Sequence, residues 1–227
     1  VEKIHEMHGM AIMQGFERES FVGSALVDAY ANCGSLTEAH QVFDHIRVRD
    51  LVSWTALISG YAYHGESEAV FEVLDRMKDE NINPDQITFQ SIFTACSHSG
   101  LLYEAQTLFH VMSREYGISP NLEHNTCMVM VFGYAGYFDK AISVIKVMPL
   151  TDSPDVWLAL LGACRKWGNV KLGRLSFDQV IQSDNSYSAA YVLMANIFMA
   201  CSMQKDAEKL EYMRLKYVAA QNSVMQV

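Results

Sequence analysis

Residues 51–85 read LVSWTALISGYAYHGESEAVFEVLDRMKDENINPD. On both sides of Gly65, apolar side chains recur at the spacing expected of a helix. A glycine between two such segments is typical of a helix end, because glycine enters the left-handed backbone region without a steric penalty. Pro84, like Pro120 further on, is expected to end a second helix. The stretch therefore predicts two helices joined by a tight turn at Gly65.

The same pattern recurs along the whole chain. Five apolar segments end in glycine, namely ALVDAYANCG at 25–34, ALISGYAYHG at 56–65, SIFTACSHSG at 91–100, MVMVFGYAG at 128–136 and ALLGACRKWG at 159–168, and Ser202 takes the place of glycine in a sixth unit. The turn positions are 31, 35, 36, 32 and 34 residues apart. Five positions after each turn lies a small or medium-sized residue: Ala39, Val70, Ala105, Ala141, Gly173 and Ala207. This period predicts a tandem array of hairpins that bury one another's apolar faces and line a groove with their first helices.

The composition excludes several classes of protein. Of the 227 residues, 50% are hydrophobic and 19% are charged, which is not the composition of a disordered or collagen-like chain. No apolar run reaches the roughly 18–20 residues of a membrane span, so we expect no membrane contact. The amino end does not read as a signal or transit peptide, and we expect any targeting peptide of a complete protein to lie outside this sequence. The five cysteines are widely spaced, with no CxxC pair, which favours a reducing compartment.

The acidic charge is concentrated in the middle of the chain. The net charge is −9, and residues 20–153 carry sixteen acidic and seven basic side chains. This balance argues against a protein that binds nucleic acid mainly by neutralising phosphates. It leaves open a protein that recognises exposed bases.

Motifs of common catalytic sites do not occur in the sequence. It has no H-x-E followed by P-C-x-x-C, the signature of zinc deaminases, and no P-loop or G-x-S-x-G. His5 and His8 are three residues apart rather than the four of H-E-x-x-H, and we interpret them as part of a solvated helix face. We therefore expect no enzymatic activity, no metal and no cofactor.

Three longer stretches carry a family resemblance. They are LVSWTALISGYAYHG…INPD at 51–85, ITFQSIFTACSHSGLLYEA…YGISPN at 87–121, and LEHNTCMVMVFGYAGYFDKA from 122. They lack the W-x₂-L-G-x₂-Y pattern of tetratricopeptide repeats and resemble plant pentatricopeptide repeat (PPR) proteins of the class with mixed P, L and S repeats. The resemblance implies an all-α, right-handed superhelical α-solenoid of helix-turn-helix repeats.

The resemblance also implies a division of the chain. Residues 1–19 resemble the second helix of a truncated L repeat. They are followed by an S repeat at 20–50, a P repeat at 51–85, an L repeat at 86–121 and a terminal S repeat at 122–153. The stretches VWLALLGACRKWGNVKLG and YVLMANIFMACS resemble two E motifs, at 154–187 and 188–221, before a tail at 222–227.

Family membership would make the chain a sequence-specific reader of single-stranded RNA, with one base per repeat. It implies a non-catalytic adaptor for cytidine-to-uridine editing in a mitochondrion or chloroplast, with a DYW-type deaminase supplied in trans and multiple organellar RNA editing factor proteins as partners. Four full repeats would contact only about four bases, so we expect weak RNA binding by this chain alone.

The resemblance assigns base selection to the fifth residue of each first helix together with the last residue of the repeat. The implied base-selecting pairs are Ser24 with Asp50, Thr55 with Asp85, Gln90 with Asn121, and Thr126 with Ser153; the implied base-stacking residues are Phe21, Val52 and Ile87. A hydroxyl paired with aspartate implies guanine at the first two repeats, since a carboxylate only accepts hydrogen bonds. Glu123 occupies the fourth stacking position and cannot stack in this way.

Three other interpretations remain open at this point. The Ser, Thr and Asp residues near helix starts are also what N-caps require. The acidic middle fits a helical scaffold that binds proteins instead of RNA. RNA binding for organellar splicing or transcript stability is a further alternative.

Overall fold

The computed structural model describes residues 1–148 and 153–224, with side chains as far as residue 216. Within these ranges all regular structure is helical. The thirteen described helices are α1 (Glu2–Gln14), α2 (Ser20–Asn32), α3 (Leu36–His45), α4 (Leu51–Tyr63), α5 (Ser67–Asp79), α6 (Gln86–Ser99), α7 (Leu102–Arg114), α8 (Leu122–Tyr134), α9 (Phe138–Val147), α10 (Pro154–Trp167), α11 (Val170–Ser183), α12 (Ser188–Ala200) and α13 (Gln204–Val224). None of the helices in the described part is long and apolar enough to span a membrane.

The glycine turns of the sequence pattern are present as predicted. Gly34, Gly65, Gly100, Gly136 and Gly168 all have positive φ, between 61° and 83°. Ser202, which replaces glycine in the sixth turn, adopts the same conformation at φ 59°. An L-residue with a side chain adopts this conformation only at a steric cost, which glycine avoids. The turn geometry therefore holds in all six hairpins, whether or not glycine is present.

The residues five positions after each turn are buried. Ala39, Val70, Ala105, Ala141, Gly173 and Ala207 all lie in the interior. Their short side chains let the second helix of each hairpin lie close to the first, as the sequence predicts.

The prediction that Pro84 and Pro120 end second helices is wrong. Helix α5 ends at Asp79, and Asn81 then takes a left-handed conformation at φ 58°. The Ile82 N–H donates to the Met77 carbonyl at 3.0 Å, which closes the helix end with a backbone hydrogen bond. Pro84 instead lies two residues before helix α6. Helix α7 likewise ends at Arg114, before a left-handed Gly117.

The chain forms two compact units, Val1–Pro120 and Asn121–Val227. In the first unit α2 packs on α4, and α4 packs on α6, so the first helices of successive hairpins lie side by side. The second helices pack behind them. At the centre of this core the Phe43 and Trp54 rings meet edge to face, with centroids 4.7 Å apart. Both rings are fully buried.

The second unit repeats this arrangement, with α8 on α10 and α10 on α12. Trp167, at the end of α10, donates its indole N–H to the Gly133 carbonyl of α8 at 3.1 Å. Helix α13 continues to Val224, beyond the boundary at 221 that the sequence suggests. Residues 149–152 of the predicted 122–153 repeat, and 225–227 of the predicted tail, lie outside the described residues. In both units the hairpins stack as in an all-α repeat solenoid.

Gly60 is a point of close approach between α2 and α4. A Cβ atom at this position would collide with the Ala31 methyl group. We therefore predict that Gly60→Ala lowers the free energy of unfolding by about 1–3 kcal/mol, because the two helices must separate to admit the methyl group. Urea unfolding followed by circular dichroism measures the change.

Gly9 provides the matched control for this prediction. It lies inside helix α1, and a Cβ there meets nothing within 4 Å. Gly9→Ala should leave stability unchanged or raise it by about 0.5–1 kcal/mol through helix propensity. Equal losses in both variants would contradict the role of Gly60 as a packing contact.

Candidate nucleic-acid interface

Three large apolar side chains stand exposed along the first helices. Phe21, Val52 and Ile87 are each the second residue of their helix, in α2, α4 and α6. Their exposed fractions are 88%, 63% and 57%. Because α2, α4 and α6 pack side by side, these three residues recur at equivalent positions on one face of the unit. Exposed apolar groups arranged in this way are typical of a binding surface.

These three residues line a groove of about 520 Å³ in the first unit. Its lining residues are Phe21, Ser24, Ala25, Asp28, Asp50, Leu51, Val52, Thr55, Ala56, Ser59, Asp85 and Ile87. Seven of the eleven site residues proposed from the sequence are among them. The groove thus contains two complete base-selecting pairs and all three stacking residues.

The Asp50 carboxylate is held by several hydrogen bonds. Asp50 is the N-cap of α4, and its Oδ1 accepts from the Ser53 N–H at 2.9 Å and from the Ser53 hydroxyl at 2.7 Å. The Ser20 hydroxyl donates to Oδ2. Burial raises the pKa of Asp50, but the hydrogen bonds from Ser20 and Ser53 outweigh it, and the net pKa is lower than usual. The carboxylate therefore stays ionised and in a fixed orientation.

Asp85 is held in the same way at the start of α6. Its Oδ1 accepts from the N–H and the hydroxyl of Thr88, both at 2.8 Å. The Asp85 N–H donates to the Thr88 hydroxyl oxygen at 3.3 Å, which completes a capping box. Within the described residues, no hydrogen bond of Asp85 uses Oδ2. This oxygen is therefore available to a ligand.

Each of the two selecting pairs in the groove is joined by a hydroxyl that the sequence did not predict. The Ser24 and Ser53 hydroxyl oxygens are 2.9 Å apart, and those of Thr55 and Thr88 are also 2.9 Å apart. Ser53 and Thr88 are fully buried. Ser24 is buried as well, at 6% exposure, and contacts the Ser20 carbonyl at 2.7 Å. A Ser or Thr three residues after each capping aspartate was the signal that could have revealed this link.

The other four proposed residues do not line the groove. Gln90 is half-buried on α6. Asn121 belongs to the second unit, where it caps α8 by accepting from the His124 N–H at 2.9 Å. Thr126 donates its hydroxyl to the Leu122 carbonyl at 2.8 Å. Ser153 precedes α10 but makes no capping hydrogen bond.

The groove is acidic. Asp28, Asp50 and Asp85 line it, and no lysine or arginine is among its lining residues in the described part of the chain. Such a surface repels phosphate, so affinity for a nucleic acid must come from stacking and base contacts. No group of three or more His, Cys, Asp or Glu within the described residues is arranged to hold a metal ion.

Comparison with known families identifies the repeats. A model described as PPR repeat family matches residues 49–98, and a model described as PPR repeat matches residues 24–51, 87–116 and 126–150. Together these segments cover just over half of the chain. The chain belongs to the pentatricopeptide repeat family of plant proteins.

Relatives from Arabidopsis thaliana are similar over most of the chain. Pentatricopeptide repeat-containing protein At4g16470 is 38% identical over 203 residues, which are 89% of this chain and 40% of the relative. Two others are At1g08070, chloroplastic, at 36% identity (87% of this chain, 27% of the relative), and At3g26782, mitochondrial, at 35% (90% and 31%). The chain spans less than half the length of each of these relatives.

Solved structures share the fold. The pentatricopeptide repeat protein PPR10 from maize superposes with a TM-score of 0.67 at 21% identity, covering 85% of this chain and 29% of PPR10. PPR10 in complex with an 18-nt psaJ RNA element gives 0.50 at 19% identity, covering 78% and 31%. At this level of identity the comparison establishes the helical repeat architecture.

The lowered pKa of Asp50 predicts a pH-dependent effect of Asp50→Asn. Because the folded-state pKa lies below the unfolded value, the ionised carboxylate stabilises the fold above the unfolded pKa. This stabilisation disappears as the pH falls through the folded-state pKa. Asp50→Asn should therefore unfold at lower urea than the wild type near pH 7, and the difference should shrink below about pH 4.

Ser153→Ala is the control, since Ser153 makes no capping bond. It should leave the urea midpoint unchanged at both pH values. A difference between Asp50→Asn and wild type that stays constant with pH would mean that the charge of Asp50 does not stabilise the fold.

Proposed function

We propose that the chain is a sequence-specific adaptor that binds single-stranded RNA in the groove, one base per repeat. The single observation that supports this is the alternation of apolar side chains and hydroxyl–carboxylate pairs along the groove. An exposed apolar side chain and a hydroxyl–carboxylate pair come from each of two successive repeats. Single-stranded bases can be splayed apart, stacked on side chains and hydrogen-bonded on their Watson–Crick edges. The groove offers both kinds of contact at each step.

Guanine is the base that suits the two pairs in the groove. Asp50 and Asp85 accept hydrogen bonds and donate none. The Watson–Crick edge of guanine carries two adjacent donors, N1–H and the N2 amino group. We therefore assign guanine to the repeat with Ser24 and Asp50 and to the repeat with Thr55 and Asp85. Phe21, Val52 and Ile87 are assigned to stacking.

The charge of the groove sets the strength of binding. Few phosphates can be neutralised by a groove lined with three carboxylates and no cation among its described residues. The affinity for RNA should then depend weakly on salt. The dissociation constant should be micromolar or larger, roughly as for a few stacked bases. Useful affinity would come from further repeats of a longer protein or from a bound partner.

The wider role we propose is organellar cytidine-to-uridine editing. The chain has the alternating repeat lengths of the mixed P, L and S class and two segments resembling E motifs, at 154–187 and 188–221. Relatives named as chloroplastic and mitochondrial support an organellar location. In this role the chain is not an enzyme. A DYW-type deaminase acts in trans, and multiple organellar RNA editing factor proteins bind the repeats.

The acidity of the groove supports a second function, that of a protein-binding scaffold. An apolar groove with three carboxylates also suits a basic, partly apolar peptide. RNA binding for splicing or transcript stability would use the same groove as editing. In a knockout, loss of editing at one site with unchanged splicing and transcript levels would separate editing from roles in splicing and transcript stability.

Gel-shift measurements with short oligocytidine strands test the RNA assignment. The wild-type chain should bind a strand with two adjacent guanines more tightly than unsubstituted oligocytidine. Thr55→Asn should shift the preference at one of the two positions from guanine toward uracil. The reason is that the asparagine amide donates to a uracil carbonyl, while Asp85 accepts from the uracil N3–H.

The other guanine position serves as the internal control, because Ser24 and Asp50 are unchanged in this variant. Adding a multiple organellar RNA editing factor protein should tighten binding without changing the preferred base. Unchanged selectivity in Thr55→Asn would remove Thr55 and Asp85 from base selection. Equal binding of all strands by the wild type would contradict the assignment of guanine, and no binding to any strand would leave the protein-binding scaffold as the function.

A further inference from the structure

We propose that Thr88, and Ser53 together with the Ser20 carbonyl, are specificity-determining groups that turn the hydroxyls of Thr55 and Ser24 into hydrogen-bond acceptors toward the groove. The inference rests on the proposed RNA-binding function and extends it to two buried residues that do not line the groove. Ser53 and Thr88 have no solvent exposure, so they act through their neighbours rather than by touching a base. They are therefore positioning residues.

The hydrogen bonds that fix the Thr55 hydroxyl begin at Asp85. A hydroxyl carries a single proton, and a hydrogen bond to an ionised carboxylate is the strongest that it can make here. The Thr88 hydroxyl lies 2.8 Å from Asp85 Oδ1, so its proton is directed to the carboxylate. The same oxygen lies 2.9 Å from Thr55 Oγ1. The hydrogen bond between the two hydroxyls must therefore use the Thr55 proton, with the Thr88 oxygen as acceptor.

The consequence for Thr55 is a fixed polarity. Its only hydroxyl proton is directed inward to Thr88, and its lone pairs remain for a ligand. Asp85 Oδ2 and Thr55 Oγ1 then form a pair that accepts hydrogen bonds and donates none. The two adjacent donors of guanine match this pair. Adenine does not, because its N1 is itself an acceptor.

The neighbouring repeat has the same device. The Ser53 hydroxyl donates to Asp50 Oδ1 at 2.7 Å and lies 2.9 Å from the Ser24 hydroxyl. Ser24 is also 2.7 Å from the Ser20 carbonyl, an acceptor. Whether the Ser24 proton is directed to Ser53 or to Ser20, it is used within the protein. Ser24 can therefore only accept from a base.

The other two repeats lack this device. In α8, His124 occupies the equivalent position and accepts the Asn121 N–H through Nδ1 at 3.3 Å. In α10 the equivalent residue is Val156, which has no hydroxyl. We therefore expect the acceptor-only polarity at the two groove repeats and at no other described repeat.

The test uses the full chain and three labelled oligocytidines, one with two adjacent guanines and two in which adenine replaces either guanine. Fluorescence anisotropy gives the guanine-over-adenine affinity ratio at each position. Thr88→Val releases the Thr55 proton, and the ratio should fall by roughly three- to tenfold at one position only. Ser53→Ala should leave the ratio at the other position unchanged, because the Ser24 hydroxyl can still donate to the Ser20 carbonyl, 2.7 Å away. Thr88→Ser restores a hydroxyl and should restore the wild-type ratio.

Ser91→Ala is the matched control. Ser91 forms a similar hydroxyl contact between α4 and α6, 2.8 Å from Ser59, but its own hydroxyl lies 3.0 Å from a backbone carbonyl rather than at a carboxylate. Its removal should leave both ratios unchanged. A purely structural effect of Thr88→Val would weaken binding to all three strands equally and leave the ratio intact, which would overturn the proposal.

Neutron diffraction of the deuterated chain separates failure of this inference from failure of the proposed function. The Thr55 deuteron should lie on the line to Thr88, and the Thr88 deuteron on the line to Asp85. A Thr55 deuteron directed into the groove overturns the inference even where the wild type prefers guanine. Deuterons as expected, in a protein that binds no RNA, uphold the polarity of the pair and overturn the RNA-binding function.

Discussion

The close packing of successive first helices is the constraint on which the structure depends. A single hairpin cannot bury its apolar face, so its stability comes from the neighbour on which it stacks. In the first unit this contact is tight enough that Gly60 on α4 meets the Ala31 methyl of α2. In the second unit a Cβ at Gly133 on α8 would come within 2.6 Å of the Ala163 methyl on α10. The same packing sets α2, α4 and α6 beside one another, and the groove is lined by residues of these helices and by the aspartates that cap α4 and α6.

The sequence predicted the fold and the positions of the hairpins, because glycine turns and helical spacing are local signals. Gly34 and its equivalents have the expected left-handed backbone, and even Ser202 adopts it. The ends of α5 and α7 were predicted less well. The sequence pattern predicts a stop at proline, but Asn81 and Gly117 end those helices earlier through local backbone geometry that composition does not display.

The candidate site was also only partly predictable. Seven proposed residues line one groove because their repeat phase places them on equivalent turns. The link between members of a pair could not be read from spacing alone. It passes through Ser53 and Thr88, whose burial and hydroxyl contacts arise only when two repeats are packed together. The two interpretations of Asp50 and Asp85, as helix cap and as base reader, are compatible, since a carboxylate has two oxygens. In Asp85 one oxygen caps the helix while the other remains accessible, and in Asp50 the second oxygen accepts from Ser20 and keeps a further lone pair for a ligand.

The exposed apolar row of Phe21, Val52 and Ile87 has a consequence for the behaviour of the protein in solution. With no ligand in the groove, these side chains are a site at which two molecules can adhere and begin to aggregate. The carboxylates of Asp28, Asp50 and Asp85 lie around them, and like charges repel when two such faces approach. The acidity that weakens the attraction of phosphate thus also acts as a colloidal safeguard for the empty protein.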